Sequence, residues 1–300
     1  AIVVHRDSQS TPLSALRRTE HEVTVFDVNE RELESMDAAQ QRPFETRTMQ
    51  PGDLALPLIA LSDKSAAVNR MARALVNLEI HVPFETRPLW QQAELDLRIG
   101  PRWPSTVERV TRLSRYGLNL SNAFSNLRTN QKERVRERIS RGLGMQVREV
   151  VASPAARGTV ELDLHVDGAR DPLPASMLSE GQLSFLLFVV LLELNQERSL
   201  LALDEPELHL HPNLLVNLTD LLEESAQIYP VVVATHSDRF LDALSDPASS
   251  AVLCELDESG ATQVVRPERD LLASWLETYR GLGELRAQGY ERQVFSSRGS

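Results

Sequence analysis

From Val147 to Leu256 short aliphatic runs alternate with helical stretches, and no other feature of the sequence constrains the fold as much. Val160–Val166, Leu200–Leu203, Val231–Thr235 and Ala251–Leu256 read as strands, with helices at 181–196, 212–226 and 238–244 between or after them. Strands separated by helices cannot pair through tight turns, so they predict a largely parallel sheet covered by helices on both faces, an α/β fold. The longest apolar run, Leu183–Leu194, is broken by Ser184 and Glu193. It is shorter than the ~20 residues that cross a bilayer and predicts a buried helix instead.

Upstream the pattern is weaker. Residues 22–28 alternate like a half-buried strand, and the polar stretch after them carries turn signals through Gln50. Leu54–Leu61 suits a strand or an apolar loop, and Ser65–Leu78 has apolar residues at helical spacing. Thr106–Leu113 and Asn119–Leu127 predict helices broken at Gly117, and Gln131–Leu143 predicts a third that Gly142 and Gly144 close. The resulting division is 1–100, an N-terminal β/α part, 101–146, a basic helical insertion, and 147–300, the core. With 42% hydrophobic residues over 300, the chain can bury one full α/β core.

Net charge is −11, but it is unevenly spread. Pro101–Arg148 holds ten Arg and one Lys against three Glu, a local +8 that leaves −19 for the rest. Arg109, Arg112 and Arg115 recur on one predicted helix, and Arg134, Arg136, Arg138 and Arg141 on another. Such a surface suits the phosphate backbone of DNA or RNA, although a solvated helix face balanced by Glu137 suits it as well. The single cysteine, Cys254, excludes an internal disulfide framework, and no Cys/His grouping has zinc-finger spacing. With no signal-peptide pattern either, the expectation is a cytoplasmic protein.

Chemistry concentrates at three places. The predicted strand Leu200–Leu203 delivers Asp204 and Glu205 at its C-terminal end, where open α/β sheets bind ligands. Asp204 there can hold Mg2+, and Glu205 can orient or deprotonate an attacking water. The next strand ends in Thr235-His236-Ser237, placing an imidazole at the same sheet edge, able to donate to a γ-phosphate. Leu178-Ser179-Glu180-Gly181-Gln182 opens the buried helix; a helix start with a serine and a glycine offers a phosphate surface, or simply a capped turn.

Taken in order, Leu-Ser-Glu-Gly-Gln, Asp-Glu-Pro-Glu-Leu-His-Leu-His-Pro and Ala-Thr-His-Ser resemble the ABC-type ATPase heads related to chromosome-maintenance and RecF-like proteins. Within these the chain is most similar to the AAA-labelled ATPases found beside bacterial defence genes. The resemblance covers about residues 105–290, including Tyr116–Leu120 and the tail Trp275–Leu285. It implies a P-loop NTPase fold of ABC-ATPase type with a helical insertion, ATP and Mg2+ as cofactors, and hydrolysis between two heads closed face to face. It also implies that Ser179, Gly181 and Gln182 contact the nucleotide of the opposite head, and that His211 lies in the loop crossing the dimer interface. Asp204 is then the metal ligand, Glu205 the base and His236 the γ-phosphate sensor, in a motor or switch for DNA repair or anti-phage defence. The partners it implies are a second head, nucleic acid or an effector nuclease, and no membrane.

The chain departs from the family in one respect: no Gly-x4-Gly-Lys-Ser/Thr occurs in it. Asp63-Lys64-Ser65 lacks both glycines, and the expectation is that the phosphate loop precedes Ala1 in the parent protein or lies in another segment. The family's Q-loop glutamine has no evident counterpart. Two other readings stand beside the ATPase: a non-hydrolysing scaffold or sensor that recruits an effector, and a nuclease built on Glu161, Asp163, His165 and Asp167, which alternate onto one strand face. A zinc site on His209 and His211 is the remaining alternative.

Overall fold

The computed structural model describes residues 2–4, 13–18, 22–25, 45–48, 73–89, 100–194, 197–256 and 259–294. They fall into two compact units, Ala1–Leu78 and Glu79–Ser300. The first holds an antiparallel sheet of β1 (Ile2–Val4), β2 (Leu13–Arg18), β3 (Glu22–Val25) and β4 (Glu45–Thr48), paired in that order. The expected Leu54–Leu61 strand, most of the Ser65–Leu78 helix and the Asp63-Lys64-Ser65 segment lie outside the described residues; residues 73–76 are helical.

In the second unit the functional sheet has the order β11 (Val231–Ala234), β10 (Leu200–Asp204), β5 (Leu78–His81). β10 and β11 run parallel, with Leu201 opposite Val231 and Asp204 opposite Ala234. Leu201 and Leu203 bury one face of β10. Under them lies α3 (Glu180–Glu193), in which every side chain from Leu183 to Glu193 is buried. A helix apolar on all sides belongs in a core, and α3 is packed by α1 (Leu120–Ser125), α2 (Thr129–Leu143) and α4 (Pro212–Ala226). This is an α/β arrangement, with parallel strands flanked by helices.

Three sequence expectations are corrected. Val160–Val166 does not join the parallel sheet: β8 (Thr159–Val166) pairs antiparallel with β7 (Val147–Ala155), β6 (Ser105–Thr106) and β9 (Leu173–Pro174). Only the short turn at Ala156–Gly158 separates β7 from β8, too little for a parallel crossover. β12 (Leu253–Leu256) likewise forms a hairpin with β13 (Thr262–Val265). Thr106–Leu113 is not helical. Asn119 Oδ1 accepts the Ser114 N–H at 2.8 Å and its amide donates to the Arg112 carbonyl at 3.1 Å, while Asn122 Oδ1 takes the Glu108 N–H. These side-chain bonds satisfy the backbone locally and replace the helical ladder.

After β11 come α5 (Asp238–Asp242) and α6 (Pro247–Ser250); α7 (Arg269–Leu276), α8 (Leu282–Ala287) and α9 (Glu291–Val294) follow β13. They share a smaller core around Leu272, Leu282 and Leu285. Among the described residues no helix is long and apolar enough to cross a membrane.

Candidate functional site

Asp204 is the last residue of β10 and is exposed; Glu205, half-buried, follows it at a φ of 44°. An L-residue in the left-handed region costs about 1 kcal/mol, and here the backbone around it holds the conformation: Glu205 N–H donates to the Ala234 carbonyl at 2.8 Å, and its own carbonyl accepts from Leu208 N–H. The chain thereby turns sharply off the strand. His236 emerges, exposed, just beyond the end of neighbouring β11. The acids and the histidine therefore occupy one edge of the sheet, as their spacing predicted.

Glu207, which sequence reasoning passed over, ties the two strand ends together. Its Oε1 accepts the Thr235 hydroxyl at 2.6 Å and the His236 N–H at 3.1 Å, and its buried Oε2 finds no partner among the described residues. From the other side Arg286 of α8 donates to the His236 carbonyl at 3.1 Å and to Asp238 Oδ1 at 3.0 Å. Gly283 lets α8 come this close, because a Cβ there would strike the Asp238 carbonyl. The repeated Glu of Asp-Glu-Pro-Glu was the one sequence signal for Glu207; Arg286, 50 residues away from His236, had none.

Ser179 is the N-cap of α3. Its Oγ accepts the Gln182 N–H at 3.2 Å and Gln182 Oε1 accepts the Ser179 N–H at 2.9 Å, a reciprocal capping box. Gly181 lies against the 209–211 backbone, where a Cβ would stand 2.6 Å from the His209 carbonyl. His209, itself at a φ of 66°, pairs through Nδ1 with Glu180 Oε2 at 2.9 Å. His211 caps α4, accepting the Asn213 N–H at 3.4 Å. The two histidines thus turn to different tasks. Leu178–Gln182 therefore packs directly against the His209–His211 backbone.

A small cleft beside the acids is lined by His81, Phe84, Ser184, Asp204, Glu205 and Leu208, among others. Behind it Glu79 and Arg198 form a buried ion pair, and Arg198 also donates to the Tyr229 hydroxyl at 3.1 Å. Burial works against the Glu79 carboxylate, but His81 and Arg198 hold it below the ordinary value of 4.5. Asp204 and Glu205 offer oxygens at the rim of this cleft, the donor type a hard cation such as Mg2+ takes, so the residues present fit that ion.

The basic surface is smaller than the sequence suggested. Arg134 and Arg138 both bind the buried Glu193 carboxylate, with shortest contacts of 2.6 and 2.7 Å, and Arg138 also reaches Glu224 at 2.8 Å. Their charge is engaged in ion pairs that join α2, α3 and α4. Arg109 and Arg141 stay exposed and Arg112 half-buried. On β8, Glu161 and Asp163 alternate with buried Leu162 and Leu164, while Asp167 pairs with Arg148 at 3.0 Å. Among the described residues no group of three or more His, Cys, Asp or Glu is placed to hold a metal.

Residues 45–242 match the family described as "AAA domain, putative AbiEii toxin, Type IV TA system". Solved structures similar to the chain include the SMC head domain from Thermotoga maritima, at 17% identity over 50% of this chain and 52% of that one, TM-score 0.37. The Smc head with coiled coil and joint from Pyrococcus yayanosii is 16% identical over 49% and 28%, TM-score 0.38. A chain solved in work on ATP-driven dimerization and DNA-stimulated activation of SMC ATPases is 15% identical over 52% and 95%, TM-score 0.37. The chain spans about half or less of the two head structures named first. No curated protein matches it.

The family match extends over most of the sequence, and the chain belongs to that AAA family.

Proposed function

We propose that this chain hydrolyses ATP as one head of a dimer, serving as a motor or switch in DNA repair or anti-phage defence. The observation that carries the reading is the meeting of Asp204, Glu205 and His236 at one sheet edge, braced by Glu207. Asp204 is the metal ligand, and Mg2+, when bound there, neutralises phosphate charge. Glu205 orients water for in-line attack on the γ-phosphate and accepts its proton. His236 donates to the γ-phosphate oxygens, its backbone fixed by Glu207 and Arg286. Ser179, Gly181 and Gln182, exposed or half-buried on the same surface as His211, meet the nucleotide of the second head. Arg109 and Arg141 are the exposed cations this head offers to DNA or RNA.

The test is Glu205→Gln in the full-length protein. ATP is expected to hold the variant as a stable dimer, seen by light scattering, with turnover reduced at least about a hundredfold. Unchanged turnover would remove Glu205 as the base. A wild-type protein that dimerises with ATP and releases no phosphate would favour the scaffold or sensor instead.

A further inference from the structure

Arg102 is 6% exposed, and among the described residues it donates five hydrogen bonds, all to main-chain carbonyls. Nη1 bonds the Ser176 oxygen at 2.8 Å and the Leu178 oxygen at 2.6 Å, in the turn that leads into the Ser179 cap. Nε and Nη2 bond the Thr86 oxygen at 3.1 and 3.0 Å, and Nε also bonds the Arg87 oxygen at 3.1 Å. A buried guanidinium is costly unless its donors are satisfied, and the rigid planar fork of an arginine can hold two separate backbone segments at fixed geometry.

Each of those segments leads into the site. Thr86 and Arg87 follow the His81–Phe84 stretch that lines the cleft with Asp204 and Glu205. Ser176 and Leu178 lead directly into Leu178–Gln182, whose Gly181 rests on the His209 carbonyl. Burial holds the Arg102 pKa below its ordinary value, and the Glu180 carboxylate of that same segment offsets part of this.

We propose that Arg102 is the positioning residue of the Leu178–Gln182 segment, fixing it against the wall of the cleft at Asp204 and Glu205 so that it meets the second head's nucleotide in register. This rests on the paired-head reading above. Arg102 touches no reacting atom and acts through Ser179 and Gly181, so its effect falls on the partner's site and not on its own.

Mixed dimers of differently tagged full-length heads test this, with Arg102→Lys as the variant because it keeps the charge and loses the fork. With Arg102→Lys and Glu205→Gln on the same head, both sites are impaired and turnover falls by about tenfold or more. With the two substitutions on opposite heads, they fall on one shared site, and about half the wild-type turnover remains. ATP binding to single heads stays within about twofold of wild type, and the homodimeric Arg102→Lys protein loses about tenfold or more in kcat.

The reverse pattern, activity with both changes on one head, would place Arg102 on its own nucleotide and overturn the proposal. Loss in both arrangements would reduce Arg102 to a support of the fold, and half activity in both would give it no role; either overturns the proposal too. Wild-type heads that do not turn over ATP would instead overturn the ATPase reading itself, a result the unmodified control reports separately.

Discussion

Glu207 illustrates how a single side chain can hold a site that its neighbours perform. Its carboxylate is the shared acceptor for Thr235 and for the His236 backbone, so replacing it with alanine leaves two donors without their partner. Glu207→Ala is expected to lose about 2 kcal/mol of stability and about tenfold in kcat, with KM for ATP little changed. Thr235→Val, which removes one of the two bonds, should cost less on both counts. Denaturant midpoints and steady-state ATP turnover check the order. Ser179 and Gly181 carry two tasks each. Ser179→Ala removes the cap of α3 and should cost about 1 kcal/mol whatever the nucleotide does. A catalytic loss beyond that in mixed dimers would report the contact with the second head.

At the scale of elements, α3 organises the molecule. It begins at the Leu178–Gln182 surface, runs beneath β10, and ends on Glu193, where α2 and α4 are tied in through Arg134, Arg138 and Glu224. Hydrogen bonding to Glu193 raises the Arg134 pKa, as a paired guanidinium requires. Glu193→Ala would leave two arginines around an empty, buried position, and about 3 kcal/mol of stability should go with it. Glu193→Gln keeps the shape and should recover part of that loss. If nucleic acid binds through α2, neutralising Arg141 should weaken it and lower the salt slope more than neutralising Arg134. Filter binding across a salt series separates the two.

Over the whole second unit, the sheet's bottom layer is fastened by Glu79 and Arg198, both buried. The Glu79 carboxylate is held below its ordinary value of 4.5, so it binds protons less readily folded than unfolded. Its contribution is therefore fully present above that value and lost as the pH falls through the lower folded one. Thermal melts between neutral and acid pH should show the wild type losing stability faster than Glu79→Gln on the acid side. Equal slopes would mean that the ion pair adds no pH dependence to folding.

Local sequence pattern determined the elements whose chemistry is local. Eleven consecutive buried side chains in α3, the aliphatic strand ending in Asp204-Glu205, and the helix opened by His211-Pro212 were all legible, because burial and capping write themselves into spacing. What depends on partners far along the chain was not. β8 reads the same whether its neighbour is parallel or antiparallel, and only its three-residue connection to β7 decides. The arginines of α2 look like a free basic face until Glu193 arrives from another helix to claim two of them. Glu207, Arg286 and Arg102 owe their roles to backbone groups brought near by folding. Main-chain carbonyls and amides are the same at every residue, so no side-chain pattern announces which of them a distant arginine or glutamate will bind.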